Sequence, residues 1–241
     1  MQIFHRSTNT IAKVSIFGAV FFLGFFGWAA YTLMGDSGYV TGQYVVKHQP
    51  VPFSHEHHVR GLGIDCRYCH TSVERSAFAG LPPTETCMNC HRQIWTNAEL
   101  LEPIRASYRD NVPVQWTRVH DLPDYVYFNH SVHIAKGIGC ASCHGKVNQM
   151  PLMFQNASLQ MQWCLDCHRN PVKNVRPREE VFNIDWNPSD PASYRKYMRP
   201  LPREASNARW EPSAGDVARL QAKLAKEYDL HSLTSCSTCH R

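Results

Sequence analysis

Ten cysteines in this chain fall into five copies of one short pattern. The copies are Cys66-Arg67-Tyr68-Cys69-His70, Cys87-Met88-Asn89-Cys90-His91, Cys140-Ala141-Ser142-Cys143-His144, Cys164-Leu165-Asp166-Cys167-His168 and Cys236-Ser237-Thr238-Cys239-His240, and no cysteine is left over. Two thiols three residues apart, followed at once by an imidazole, are what covalent attachment of c-type haem requires. The thiols add across the two vinyl groups of a porphyrin, and the adjacent imidazole reaches the iron on the same face. A zinc site or a redox dithiol needs no His at the next position. A disulfide framework does not keep every cysteine three residues from its neighbour. The pattern therefore predicts five haem c groups, with His70, His91, His144, His168 and His240 as proximal ligands.

Nine histidines lie outside the motifs. A second imidazole on the iron gives a closed electron carrier, a methionine raises the potential, and an open position permits chemistry on a ligand. Phe53-Ser54-His55-Glu56-His57-His58 and Phe128-Asn129-His130-Ser131-Val132-His133 share the form F-x-H-x-x-H, each leading through a glycine-containing turn to a haem motif. Imidazoles three apart on a helical turn project in nearly one direction, so such a pair can serve two neighbouring haems. His55, His58, His130 and His133 are thus expected as distal ligands, and His120, in Val119-His120-Asp121-Leu122-Pro123, is the candidate for the fifth. Met150 or Met153 is the expected substitute if one distal ligand is not a histidine. His48, His57 and His231 are read as non-ligands, and His5 lies ahead of an apolar run at residues 14–35.

What positions these residues starts at the N-terminus. Residues 1–13 are polar, and from Val14 to Gly35 no residue is charged. A helix needs roughly 20 apolar residues to span a bilayer core, more than the roughly 7–15 of a signal-peptide apolar region. Trp28 and Tyr31 sit late in the run, where an interfacial belt lies. Residues 14–35 are therefore expected to be a retained transmembrane anchor. Arg6 and Lys13 before it and Asp36 after it predict a cytoplasmic N-terminus. The haem domain then lies on the periplasmic (extracytoplasmic) side of the inner membrane, as export for haem attachment demands. Gly24, Gly27 and Ala30 could give a smooth face against another membrane helix.

Residues 36–52 read as a linker. Residues 53–170 read as a duplicated two-haem module, 53–112 and 118–170, each copy holding one F-x-H-x-x-H and two haem motifs. A short helix is expected from Ile94 to Leu101, with Pro103, Pro113 and Pro123 breaking the chain beyond it. The segment 171–241 begins irregular and rich in proline and arginine, a candidate docking surface. A helix then runs from a Ser213 cap through Val217, Leu220, Leu224 and Tyr228, towards the fifth motif. The fold class expected is a multihaem cytochrome c: short α-helices and loops wrapped around five haems, little β-structure, one transmembrane helix. The formal charge of +5 and pI near 8.7 do not point to nucleic acid. Five haems bring roughly ten propionates, which cancel the excess once ferric porphyrin charge is counted.

The run from Arg118 through His120-Asp121-Leu122-Pro123 to Phe128-Asn129-His130-Ser131-Val132-His133 carries a family resemblance. So do Cys143-His144-Gly145-Lys146-Val147, Met150-Pro151 and Trp163 to Pro171. With Leu62 to His70 and Cys236 to Arg241, they resemble the pentahaem cytochrome c subunit of alternative complex III, over nearly the whole chain. The resemblance implies a respiratory complex in which a polytopic membrane subunit oxidises quinol. Electrons would pass from an iron–sulfur subunit through this chain to a monohaem cytochrome c, and on to a periplasmic carrier or terminal oxidase. It also implies that this chain has no substrate site of its own.

Three other functions compete. A reductase acting on a small molecule such as nitrite needs an open haem, often with Lys replacing the motif His, and all five motifs here are standard. A self-sufficient quinol dehydrogenase of the NapC/NrfH kind also has one anchor helix. The related hexahaem subunit of quinone reductase complexes in sulfate reducers is a further alternative, and the count of five motifs weighs against it.

Overall fold

Residues 5–35, 37–188, 190–198 and 211–240 are described in the structure, a computed structural model. Asp36, expected just beyond the span, and residues 199–210 of the expected docking stretch lie outside them. The chain divides into two units, residues 1–43 and 44–241.

The first unit is dominated by α1, Thr8–Gly35. Its 28 residues extend about 42 Å at the helical rise, enough to cross a bilayer, and the composition is apolar enough to do so. Within residues 14–35 the two aliphatic hydroxyls bond inside the helix, Ser15 to the Ala12 carbonyl and Thr32 to those of Trp28 and Ala29. Hydrocarbon surroundings impose that requirement on any polar group. A single turn, α2 (Gly38–Thr41), comes after it, capped by Ser37 and closed by Gly42 in a left-handed conformation.

The second unit has no β-strand among its described residues, only isolated bridges between Val46 and Phe154 and between Ile138 and Val175. Its helices are short. A π-helical turn, Glu56–Gly61, leads into α3 (Cys66–Cys69), then α4 (Thr84–His91), α5 (Glu102–Asp110), α6 (His130–Ala135), α7 (Ala141–His144), α8 (Met161–Arg169), α9 (Ala214–Glu227) and α10 (Cys236–Cys239). The helix expected over Ile94–Leu101 is displaced: that stretch is turns ending in a 3₁₀ turn, Glu99–Leu101, and the helix begins at Glu102. Pro103 sits in its first turn, where a missing N–H costs nothing, so this proline starts a helix. The expected helix after Ser213 is present as α9, with Ser213 and Asp216 bonding each other's backbone N–H groups in a capping box.

Two small apolar clusters hold these pieces. Val51, Leu101 and Ile104 pack with Cys87, Met88 and Trp116, tying α4 to α5. Val175, Leu224 and Tyr228 pack with Leu220 and Leu230, fixing α9 against the strap at 171–176. Arg178 lies over the Tyr228 ring at 4.2 Å, and Lys136 donates to the Tyr228 and Asp229 carbonyls. Burying each such apolar side chain is worth about 1.5–3 kcal/mol. Neither cluster is the core that a soluble unit of this length ordinarily builds. Large apolar side chains near the motifs stay exposed instead, among them Tyr68, Phe78, Leu81, Trp95 and Leu233.

Candidate haem centres

Each motif occupies one helical turn, α3, the end of α4, α7, α8 and α10, which brings its two thiols to one side. The turns close alike: the amide N–H groups of His70, His144 and His240 each donate to the carbonyl of the first motif cysteine at 2.9 Å. None of the ten cysteines forms a disulfide. Outside the turns, the imidazoles are held by one recurring device. Nδ1 of His70 meets the Gly80 carbonyl at 2.7 Å, His168 that of Leu233 at 2.9 Å, His240 that of Tyr125 at 3.0 Å, and His91 that of Ile94 at 3.4 Å. A carbonyl only accepts, so Nδ1 carries the hydrogen and Nε2 keeps a lone pair for a metal.

The same device appears outside the motifs. His58 Nδ1 bonds the Ser54 carbonyl at 2.8 Å, His133 that of Asn129 at 2.7 Å, and His130 that of Ala77 at 2.8 Å. The two F-x-H-x-x-H blocks have nearly one geometry. Phe53 stacks on His58 at 4.4 Å and 28°, and Phe128 on His133 at 4.5 Å and 27°. Each phenylalanine meets the first imidazole of its block edge-on, at 4.9 Å and 4.8 Å. The backbones differ, a π-helical turn in the first block and α6 in the second.

Ring centres then fall into pairs: His58 with His91 at 6.3 Å, His133 with His168 at 6.1 Å, and His130 with His144 at 6.2 Å. Two metal–nitrogen bonds of roughly 2 Å, with each ring centre roughly 1 Å further out, give about that separation. The pairs therefore fit iron held from both faces. Among the described residues, no three His, Cys, Asp or Glu converge as a cage for a metal ion. His55 belongs beside His70, its strongest electrostatic neighbour after burial itself. Burial, and the imidazoles around them, push His55 down to about 4 and His144 to about 3. These rings are thus neutral, the state that ligates iron. Burial likewise raises Cys143 to about 12 and Cys140 to about 11, keeping both as thiols.

His120 is placed differently from the other expected distal ligands. Its Nε2 lies 3.3 Å from Nδ1 of His144, with ring centres 4.3 Å apart. It occupies the place that a backbone carbonyl takes at the other proximal histidines. Met150 is buried in packing, and its carbonyl accepts the Glu56 N–H. His57 stacks on Trp95 and His231 pairs with Asp229. One residue that sequence reasoning does not single out is Arg176, almost fully buried behind the third motif. It donates to Ser142 Oγ and to the Glu180 and Asn183 carbonyls, while its Nε has no partner. A Cβ on Gly139 would overlap its guanidinium. The Gly137-Ile138-Gly139 step before Cys140 is the signal in sequence for such a close approach.

Comparison with known proteins agrees with this geometry. Residues 126–185 match the family described as cytochrome c7 and related cytochrome c. The chain is 30% identical over 178 residues to the multihaem cytochrome c subunit of menaquinone reductase from Nitratidesulfovibrio vulgaris (strain Hildenborough), covering 63% of this chain and 81% of that protein. Attachment turns, neutral paired imidazoles and exposed apolar side chains beside the motifs all suit covalent haem c. The chain belongs to the multihaem cytochrome c family, as an electron-transport protein related to a quinone reductase subunit.

Proposed function

We propose that this chain is a membrane-anchored pentahaem conductor in a quinol-oxidising respiratory complex of the alternative complex III kind. It would take electrons from an iron–sulfur subunit and pass them towards a monohaem cytochrome c, a periplasmic carrier or a terminal oxidase. The observation that carries the reading is the pairing of imidazoles at 6.1–6.3 Å. Bound haem c supplies one-electron exchange at its iron. The protein's part is to hold two neutral imidazoles against that iron, with the outer nitrogens fixed on carbonyls at the His58–His91 and His133–His168 pairs and that of His144 on His120. At the four centres with a second imidazole, that would exclude small substrates and keep the ligands in place in both oxidation states. His55, His58, His130 and His133 are assigned as the distal ligands of the haems at His70, His91, His144 and His168. His120 is assigned as the outer hydrogen-bond partner of His144. The name of the relative favours a second reading, a quinone reductase subunit, in which the same residues carry electrons towards the quinone pool.

The cofactor count is checked by intact mass. The denatured mature chain should exceed its polypeptide by five haem masses, because all ten cysteines lie in attachment turns; four or fewer would sink the pentahaem assignment. Anchoring is checked by truncation. Removing residues 1–35 and supplying a cleavable export signal should release a soluble haem protein, since α1 accounts for the membrane-spanning length. Retention of the truncated chain in alkaline-washed membranes without partner subunits would contradict a single anchor.

A further inference from the structure

A guanidinium without a counter-charge is buried behind the third attachment turn. Arg176 is 1% exposed, and among the described residues it and Glu180 are the charged side chains that reach the interior. Its backbone is fixed first. An isolated bridge joins Ile138 to Val175, and the Arg176 N–H donates to the Gly137 carbonyl at 2.9 Å. The side chain then crosses the bare Cα of Gly139, one residue before Cys140, where any Cβ would block it. Its hydrogen bonds all go to neutral groups. Nη1 donates to the carbonyls of Glu180 and Asn183 at 3.4 and 3.2 Å, Nη2 to Ser142 Oγ at 3.3 Å, and Nε is left over. The acid on the same strap is engaged elsewhere: the Glu180 carboxylate accepts from Asn183 and Tyr197 and pairs with Lys196. Among the described residues, no carboxylate forms an ion pair with Arg176.

A buried cation lacking a partner is costly, and apolar side chains of similar volume often fill such a space at less cost. Arginine also cannot escape by losing its proton. Its charge therefore calls for a use. Reduction of a ferric haem adds one negative charge, so a fixed cation beside it favours the reduced state. Two unit charges roughly 10 Å apart, at an effective permittivity of about 20, shift a one-electron ratio by about tenfold or more. We infer that Arg176 sets the reduction potential of the haem carried by Cys140, Cys143 and His144, holding it up with a fixed positive charge packed against the attachment turn. This deepens the conductor reading and rests on it. The other four attachment turns have no buried arginine or lysine among the described residues, so the effect is centred on one haem. The Ser142 hydroxyl and the carbonyls of Glu180 and Asn183 hold the charge in place, and none of the iron ligands is touched.

A redox titration followed by proton magnetic resonance tests the assignment. Haem-methyl resonances in contact with the Cys140 and Cys143 side chains identify this haem, and its reduced fraction is read at each applied potential. Arg176→Gln keeps a polar side chain and removes the charge. It should lower the midpoint of this haem by at least about tenfold in the reduced-to-oxidised ratio, about 59 mV for one electron, and move the other four less. Arg176→Lys keeps the charge without the planar fork and should leave the midpoint nearly in place. Ser142→Ala removes one hydrogen bond and no charge, and should do the same. Because arginine does not titrate, the difference between Arg176→Gln and the unmodified chain should be constant across the neutral pH range. An unmoved midpoint in Arg176→Gln overturns the assignment. So does an equal fall in Arg176→Lys or Ser142→Ala, since shape alone would then account for the shift. Where the glutamine variant does not fold, the lysine variant decides: a midpoint kept in place supports the charge, and a tenfold fall overturns it. Five covalent haems with an unmoved midpoint strike the Arg176 assignment alone, whereas fewer than five in the unmodified chain strike the conductor reading beneath it.

Discussion

Replacing His58 with alanine will convert one low-spin haem into a high-spin site that binds carbon monoxide and has a raised midpoint potential. The His58 ring lies 6.3 Å from that of His91, and its Nδ1 hydrogen is committed to the Ser54 carbonyl at 2.8 Å. Only Nε2 is left to face the iron. Burial lowers the pKa of this ring, so the lone pair is available at neutral pH. Alanine offers no donor atom, and His57 cannot substitute, since its ring stacks on Trp95 at 5.9 Å. The iron then keeps one axial ligand, and loss of an imidazole donor favours the ferrous state. Loss of the stack on Phe53 also costs about 0.5–1.5 kcal/mol, too little to unfold the domain. His57→Ala is the matched control and should leave every haem low-spin. His133→Ala should repeat the His58 result at the haem of His168, because Phe128, His133 and Asn129 reproduce the first block's geometry. A low-spin spectrum unchanged in both His58→Ala and His133→Ala would refute these assignments.

The contrast between His58 and His120 shows what a sequence carries for such a protein. The attachment turns are legible because covalent chemistry fixes residue types at fixed spacing. The imidazole pairs are legible because F-x-H-x-x-H occurs twice, and His55, His58, His130 and His133 all lie beside imidazoles of the attachment motifs. His120 occurs once, and nothing local says whether an isolated imidazole meets an iron or the back of another imidazole. The acceptors at Gly80, Leu233, Tyr125 and Ala77 are backbone carbonyls, which any residue supplies, so no residue type marks them. Pro103 misleads in sequence because a proline ends a helix in its interior and begins one in its first turn, where this one lies. The packing around the motifs depends on long-range contacts such as Asn89 to Tyr68 and Cys140 to Val181. Local pattern has no access to them.

Dithionite will reduce the purified chain, whereas menaquinol analogues will not reduce it at a comparable rate until its membrane partners are restored. Quinol oxidation releases two protons along with two electrons, and it needs a binding site with groups that accept those protons. Among the described residues one helix is long and apolar enough to cross a membrane, with no ionisable side chain other than tyrosine between Val14 and Gly35. Ionisable side chains inside a span are the usual mark of such a site, and the polar side chains here, Ser15 and Thr32, are occupied by their own backbone. At the paired centres, two imidazoles would leave a bound iron no position for a substrate oxygen. Outer-sphere electron exchange at the haem edges is then the expected route, which dithionite can use and a membrane-bound quinol would use only with a partner to hold it. Stopped-flow reduction of the detergent-solubilised chain, alone and then in the intact complex, separates the cases. Adding partners should raise the rate of quinol-driven haem reduction by orders of magnitude while leaving dithionite reduction nearly unchanged. Fast quinol reduction of the isolated chain would place it with the self-sufficient single-helix quinol dehydrogenases. A complex that passes electrons from its soluble partners into menaquinone, and not the reverse, would favour the quinone reductase reading.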